Sequence, residues 1–199
     1  MAVTDDRLLA DRDPVAACLA AEQGGATAIQ LRLKHLPPAE LALVARALLA
    51  VLRVPLLVND RADVALAVGA AGVHLGPDDI PAALVRRIAP PGFVIGVSVG
   101  LEREVASGAA GDYWGIGPLR ASATKADAGA ALGLAGFAAL VSRAEGRPCL
   151  AIGGVQPEDV VAVRQAGGVG VAVVSGIFSG DPTQGAEAYR KARGGSDAP

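Results

Sequence analysis

Charge is scarce in this chain, and neither sign is in excess. Eighteen Lys and Arg face 20 Asp and Glu, for a formal net charge of −2. That balance offers no basic footprint for a nucleic acid or an anionic membrane surface. Cysteine is nearly missing as well. Cys18 and Cys149 are the two present, neither sits in a CxxC pair, and both read as inert core thiols. Long apolar runs are also lacking, because Gly or charge breaks each one before about 18 residues, so no membrane span is expected. Asp5, Asp6 and Arg7 come too early for a signal peptide. The expectation is a soluble, cytoplasmic protein, with the oligomeric state left open between monomer and homo-oligomer.

What the chain does have is apolar sequence in short pieces. Hydrophobic residues make up 52% and charged residues 19% of 199, which suits one domain with a substantial core. Strand-length runs recur at 27–33, 54–59, 72–75, 93–99, 113–119, 148–155 and 169–176. Runs this continuous fit strands buried on both faces of a parallel sheet. Helical patterns alternate with them. One stripe, Leu41, Ala45, Leu48 and Leu52, spans 37–52, and a second is formed by Ile80, Leu84 and Ile88. Asp13-Pro14, Gln156-Pro157 and Asp181-Pro182 read as helix openings.

With a short strand at 2–4 ahead of a helix at about 13–24, the count reaches eight βα units. The expectation is an α/β protein, a (β/α)8 TIM barrel occupying 1–193 as a single compact domain with a shortened first strand. Residues 194–199 read as a flexible tail. A doubly wound open sheet is the alternative, since strand 1 is so short.

In a parallel barrel the chemistry gathers at the carboxyl ends of the strands. Strand 2 alternates Gln30, Arg32 and Lys34 with apolar residues, which places the three on one side, either the barrel mouth or an exposed polar face. Strand 3 ends in Asn59-Asp60 and strand 4 leads to Asp79. Two carboxylates at neighbouring strand ends suit a hard cation such as Mg²⁺, or each caps a helix. Ser98 ends strand 5. Gly153-Gly154 follow strand 7 and Val174-Ser175 end strand 8, where many barrels bind phosphate. Between strand 6 and its helix lies the polar loop 117–129, with Ser122, Thr124 and Lys125. His74 reads as packing within its strand, and His35 has no visible partner. No nucleophile–base pair stands out. Carboxylates, cations and a phosphate cradle suit departure of a diphosphate better than acyl transfer.

The segments "IQLRLK", "VNDRADVALAVGAAGVHLGPDD", "IGVSV", "GIGPLRASATKADAG", "AIGGV" and "GVAVVSGI" together resemble the thiamine phosphate synthases, over nearly the whole chain. The resemblance implies a Mg²⁺-dependent transferase that joins hydroxymethylpyrimidine diphosphate to a thiazole phosphate by a dissociative mechanism. It implies that Gln30, Arg32, Lys34, Asn59, Ser98 and Lys125 hold the pyrimidine diphosphate, with Arg32, Lys34, Ser98 and Lys125 taking part in catalysis. Asp60 and Asp79 would take the metal. Ser122 and Thr124, with Gly153, Gly154, Val174 and Ser175, would hold the thiazole phosphate. The partners implied are small phosphorylated molecules, not nucleic acid or membrane. Three features depart from the family's pattern: the short strand 1, Leu33 where an acidic residue is usual, and Gly100 where many relatives carry His. In the related thiazole tautomerases that His transfers protons. A tautomerase-like isomerase and a catalytically degenerate homologue that binds thiamine phosphate are the alternatives.

Overall fold

A computed structural model describes residues 1–121 and 130–194. Its eight strands are all parallel and follow one another round the sheet in chain order. They are β1 (Ala2–Val3), β2 (Ile29–Leu31), β3 (Leu56–Asn59), β4 (Gly72–Leu75), β5 (Val94–Val99), β6 (Tyr113–Ile116), β7 (Cys149–Ile152) and β8 (Gly170–Ala172). The helices are α1 (Pro14–Gln23), α2 (Pro38–Val51), α3 (Ala62–Val68), α4 (Ala82–Ile88), α5 (Val105–Gly108), α6 (Gly133–Ser142), α7 (Asp159–Gln165), α8 (Ser175–Phe178) and α9 (Pro182–Ala192). The strand order never reverses, which excludes the doubly wound alternative.

Closure depends on the two residues of β1. On one side, Ala2 N–H donates to Ala28 O at 2.9 Å and Thr4 N–H to Gln30 O at 3.0 Å. On the other, Val3 N–H donates to Val173 O at 2.8 Å, and Val173 N–H returns to Met1 O at 3.0 Å. The strand is short, yet it is bonded on both edges, and the barrel closes.

The apolar core is the layer between strands and helices. Ile29, Leu31, Leu56, Val58, Ile95 and Trp114 are buried there almost completely. Each such side chain stabilises the fold by roughly 1.5–3 kcal/mol. Cys18 and Cys149 are free and buried, and burial pushes their thiols up to about 12 and about 11, in keeping with inert core residues. Asp13 and Asp181 cap α1 and α9 as expected, accepting from Val15 N–H and from Thr183 and Gln184 N–H.

Two local expectations fail. The stripe Ile80, Leu84 and Ile88 is exposed, at 45%, 47% and 67%. Helix α4 turns Ala82 and Val85 inward instead, because Arg86 anchors it by donating to Phe93 O at 2.9 Å and pairing with Asp112. Gln156-Pro157 does not open α7 directly. The helix begins at Asp159, whose buried carboxylate accepts from Gln156 N–H at 2.8 Å and pairs with Arg120. Of the tail expected at 194–199, all but Gly194 lies outside the described residues.

Candidate active site at the carboxyl ends of the strands

The polar face of strand 2 divides between its neighbours. Arg32 reaches back to the segment after β1, where its Nη1 donates to Asp5 Oδ2 at 2.9 Å. Lys34 reaches forward to the end of β3 and pairs with Asp60 Oδ2, also at 2.9 Å. Residues of equal parity lie on one side of a strand, but long side chains choose different partners along a rim. The exposed-face alternative is therefore excluded for Gln30 and Arg32: Gln30 is 3% exposed, and the Arg32 side chain is 13% exposed.

Thr4, Asp5 and Asp6 are partners of this segment that the sequence did not single out. Thr4 Oγ1 accepts from Arg32 N–H at 2.7 Å, and Asp6 accepts from the N–H groups of Lys34 and His35. Their signal was the run of Thr and two Asp directly after the short strand. Arg32 Nε is nevertheless buried without a hydrogen-bond partner among the described residues. A buried guanidinium N–H left open is costly, which marks a place where an anion's oxygen would be stabilised.

Neither aspartate is a helix cap. Asp60 adopts φ 61°, a left-handed conformation that costs a non-glycine residue about 1 kcal/mol. It precedes the cap position of α3 rather than occupying it. That backbone turn sends its carboxylate to Lys34. Asp79 Oδ2 accepts from Gly76 N–H at 2.6 Å, three residues before α4 begins. Burial, with Asp60 facing it, pushes the Asp79 carboxyl up to about 6, against the opposing pulls of the Gly76 bond and Lys34. A pair of facing carboxylates with one lysine carries one net negative charge. Such a pair suits a hard cation that takes its remaining ligands from water and substrate. Asn59, 9% exposed, stands beside them, and the cleft over Lys34, Asn59 and Asp60 holds about 160 Å³. Leu33, the departure in strand 2, packs into the apolar core at 8% exposure.

Across the mouth, Gly153 and Gly154 have φ of 87° and 65°, where any side chain would be strained. A Cβ on either would also run into Pro118 or Arg120 at under 3 Å. Val174 and Ser175 lead directly from β8 into the one-turn α8. These backbone segments lie at the ends of strands 7 and 8, on the same rim as Lys34 and Asp60. Ser122, Thr124 and Lys125 lie outside the described residues.

Inside the barrel the register aligns Asn59, His74, Gly96 and Tyr113 in one row, with Ser98 and Gly115 in the next. His74 is buried, as read from the sequence, but it does more than fill its strand. Its Nδ1 lies 2.9 Å from Tyr113 Oη and its Nε2 3.0 Å from Ser98 Oγ. A second cleft, of about 250 Å³, opens at the opposite end of the barrel beside Arg164, Arg190 and Arg193. No helix among the described residues is long and apolar enough to cross a membrane.

A closed (β/α)8 barrel with cations and carboxylates on strands 2 to 4 and glycine loops on strands 7 and 8 defines a class, the barrel enzymes that handle small phosphorylated molecules. Comparison with known proteins narrows it. The family model described as thiamine monophosphate synthase matches residues 1–177. A thiamine-phosphate synthase from Azorhizobium caulinodans is 48% identical, over 88% of this chain and 84% of its own length. Another, from Xanthobacter autotrophicus, is 47% identical over 96% and 92%. The solved thiamine phosphate pyrophosphorylase of Pyrococcus furiosus superposes with a TM-score of 0.83 at 34% identity, covering 97% of this chain and 94% of that one. The chain belongs to the thiamine monophosphate synthase family.

Proposed function

We propose that this protein condenses hydroxymethylpyrimidine diphosphate with a thiazole phosphate, releasing diphosphate and forming thiamine phosphate. The observation that carries the reading is the Lys34–Asp60 pair facing Asp79, beside a buried Arg32 with an open Nε, in a chain of this family. Asp60 and Asp79 would hold Mg²⁺, which when bound neutralises diphosphate charge. Arg32 and Lys34 hold the diphosphate and stabilise the charge it gains on leaving. Gln30, Asn59 and Ser98 orient the pyrimidine diphosphate, and Lys125 completes the cationic set. Gly153, Gly154, Val174 and Ser175, with Ser122 and Thr124, hold the thiazole phosphate. A dissociative course, in which diphosphate departs before the thiazole nitrogen bonds to the pyrimidine methylene, needs no protein nucleophile. Residues 1–193 act as one catalytic unit in this reading.

The tautomerase alternative loses ground for a steric reason. A Cβ at Gly100 would lie 2.6 Å from Gly117 O, so a histidine there would need the backbone to move. The direct test is purified protein with both substrates and Mg²⁺, following diphosphate and thiamine phosphate together. Stoichiometric formation of both is expected. Tight thiamine phosphate binding without turnover would overturn the reading in favour of a degenerate homologue. Lys125→Ala should slow the chemical step more than it weakens thiazole phosphate binding, and an unchanged rate would remove Lys125 from the mechanism.

A further inference from the structure

Two glycines inside the barrel make room for an unusual pair of rings. A Cβ on Gly96 would lie 2.2 Å from the Tyr113 ring, and one on Gly115 would lie 3.0 Å from His74 Cε1. The bare backbone at both positions lets the tyrosine and the imidazole meet, with ring centroids 5.5 Å apart. Four side chains then form a chain of hydrogen bonds from β2 to β5. Gln30 bonds Tyr113, Tyr113 bonds His74 Nδ1, and His74 Nε2 bonds Ser98 Oγ.

Both imidazole nitrogens of His74 are engaged, Nδ1 by the Tyr113 hydroxyl and Nε2 by the Ser98 hydroxyl, so the ring is held from two sides. Burial pushes the Tyr113 ionisation up, so the phenol keeps its proton. Among the described residues the Ser98 Oγ makes this one side-chain bond. Ser98 is half-buried near the carboxyl end of β5, at the mouth.

We infer that His74 and Tyr113 are positioning residues, which hold the Ser98 hydroxyl in place for a hydrogen bond to the bound substrate. The inference rests on the proposed function for the identity of that substrate. The substrate atom lies on the diphosphate or on the pyrimidine ring. A hydroxyl anchored on one side by a buried imidazole meets the substrate at a set position.

The test uses variants that separate geometry from bulk. In His74→Asn the amide falls near Nδ1 and loses Ser98, whereas in His74→Gln it falls near Nε2 and keeps a hydrogen-bond partner for Ser98 there. His74→Asn should lower kcat about 10- to 100-fold, matching Ser98→Ala. His74→Gln should recover to within about fivefold of wild type. The double variant His74→Asn/Ser98→Ala should be no slower than Ser98→Ala alone, because both changes remove one interaction. Tyr113→Phe, which keeps the ring and deletes the proton, should slow turnover about 5- to 10-fold. Additive losses in the double variant, no advantage of His74→Gln over His74→Asn at equal melting temperature, or full activity in Tyr113→Phe would each overturn the inference.

A binding arm does not depend on turnover. Titrations with inorganic diphosphate plus Mg²⁺, and separately with hydroxymethylpyrimidine, should show Ser98→Ala and His74→Asn weakening the same probe by the same factor. That probe identifies the part of the substrate that Ser98 contacts. Equal binding of both probes by wild type and both variants would overturn the proposal, even if wild type itself turned over no substrate.

Discussion

The two ends of the barrel are charged in different ways, and the difference bears on which end the proposed chemistry uses. At the amino end, a cleft of about 250 Å³ is lined by exposed Arg164 and Arg193 and by apolar residues such as Val171, Ile177 and Ala186. At the carboxyl end the cleft beside Lys34 is smaller, about 160 Å³, and each cation is matched with a carboxylate. Volume and positive charge alone would favour the amino end. The carboxyl end has what is harder to keep: a left-handed Asp60, an Asp79 carboxyl raised by burial and a facing charge, and a buried guanidinium N–H without a partner. Costs of this kind persist where a ligand offsets them. Arg164 and Arg193, exposed beside the amino-end cleft, carry no such cost.

The sharpest way to break this comparison is to neutralise the carboxylates. Asp60→Asn or Asp79→Asn should reduce diphosphate release about 100-fold or more and raise the Mg²⁺ concentration needed for half-maximal rate. An unchanged metal requirement in both would leave them as structural residues. Lys34→Ala comes next, with an expected loss of about 10- to 100-fold in kcat/KM, since it removes a cation and leaves Asp60 unpaired. Gly96→Ala tests the interior between the two ends. The added methyl meets the Tyr113 ring, so thermal unfolding should show about 1–3 kcal/mol of destabilisation together with slower turnover.

Tyr189 donates its hydroxyl proton to Val155 O at 2.8 Å, in the loop that carries Gly153 and Gly154, so Tyr189→Phe should cost about 1 kcal/mol in denaturant melts. At the amino end the effects should be smaller still. Smallest of all, Arg164→Ala and Arg193→Ala should change stability by no more than about 0.5 kcal/mol and activity by less than about twofold. A large activity loss in either arginine variant would reverse the assignment of the two ends.

Much of this was legible in the chain. Near-continuous apolar runs gave the positions of β2 to β8, although most of the hydrogen-bonded parts are shorter than the runs, as at Ile29–Leu31 within 27–33. Asp13 and Asp181 were legible as caps because each acts on the two or three residues that follow it. The α4 stripe was misread, because periodicity cannot tell a face turned inward from one left outside by the Arg86 anchor. Asp5 and Tyr113 were missed for a related reason. Their partners, Arg32 and His74, lie 27 and 39 residues away.

By itself, the sequence determined the alternation of strand and helix, the glycines where side chains could not fit, and which residue types end each strand. These are local properties, set by backbone sterics and by the apolar pattern over a few residues. Only the tertiary structure decided that a two-residue β1 closes the barrel, that Arg32 and Lys34 diverge, and that Gln30, Tyr113, His74 and Ser98 share one line of hydrogen bonds. Hydrogen bonds between distant segments depend on distance and angle in space, and barrel closure with its strand register is what sets both.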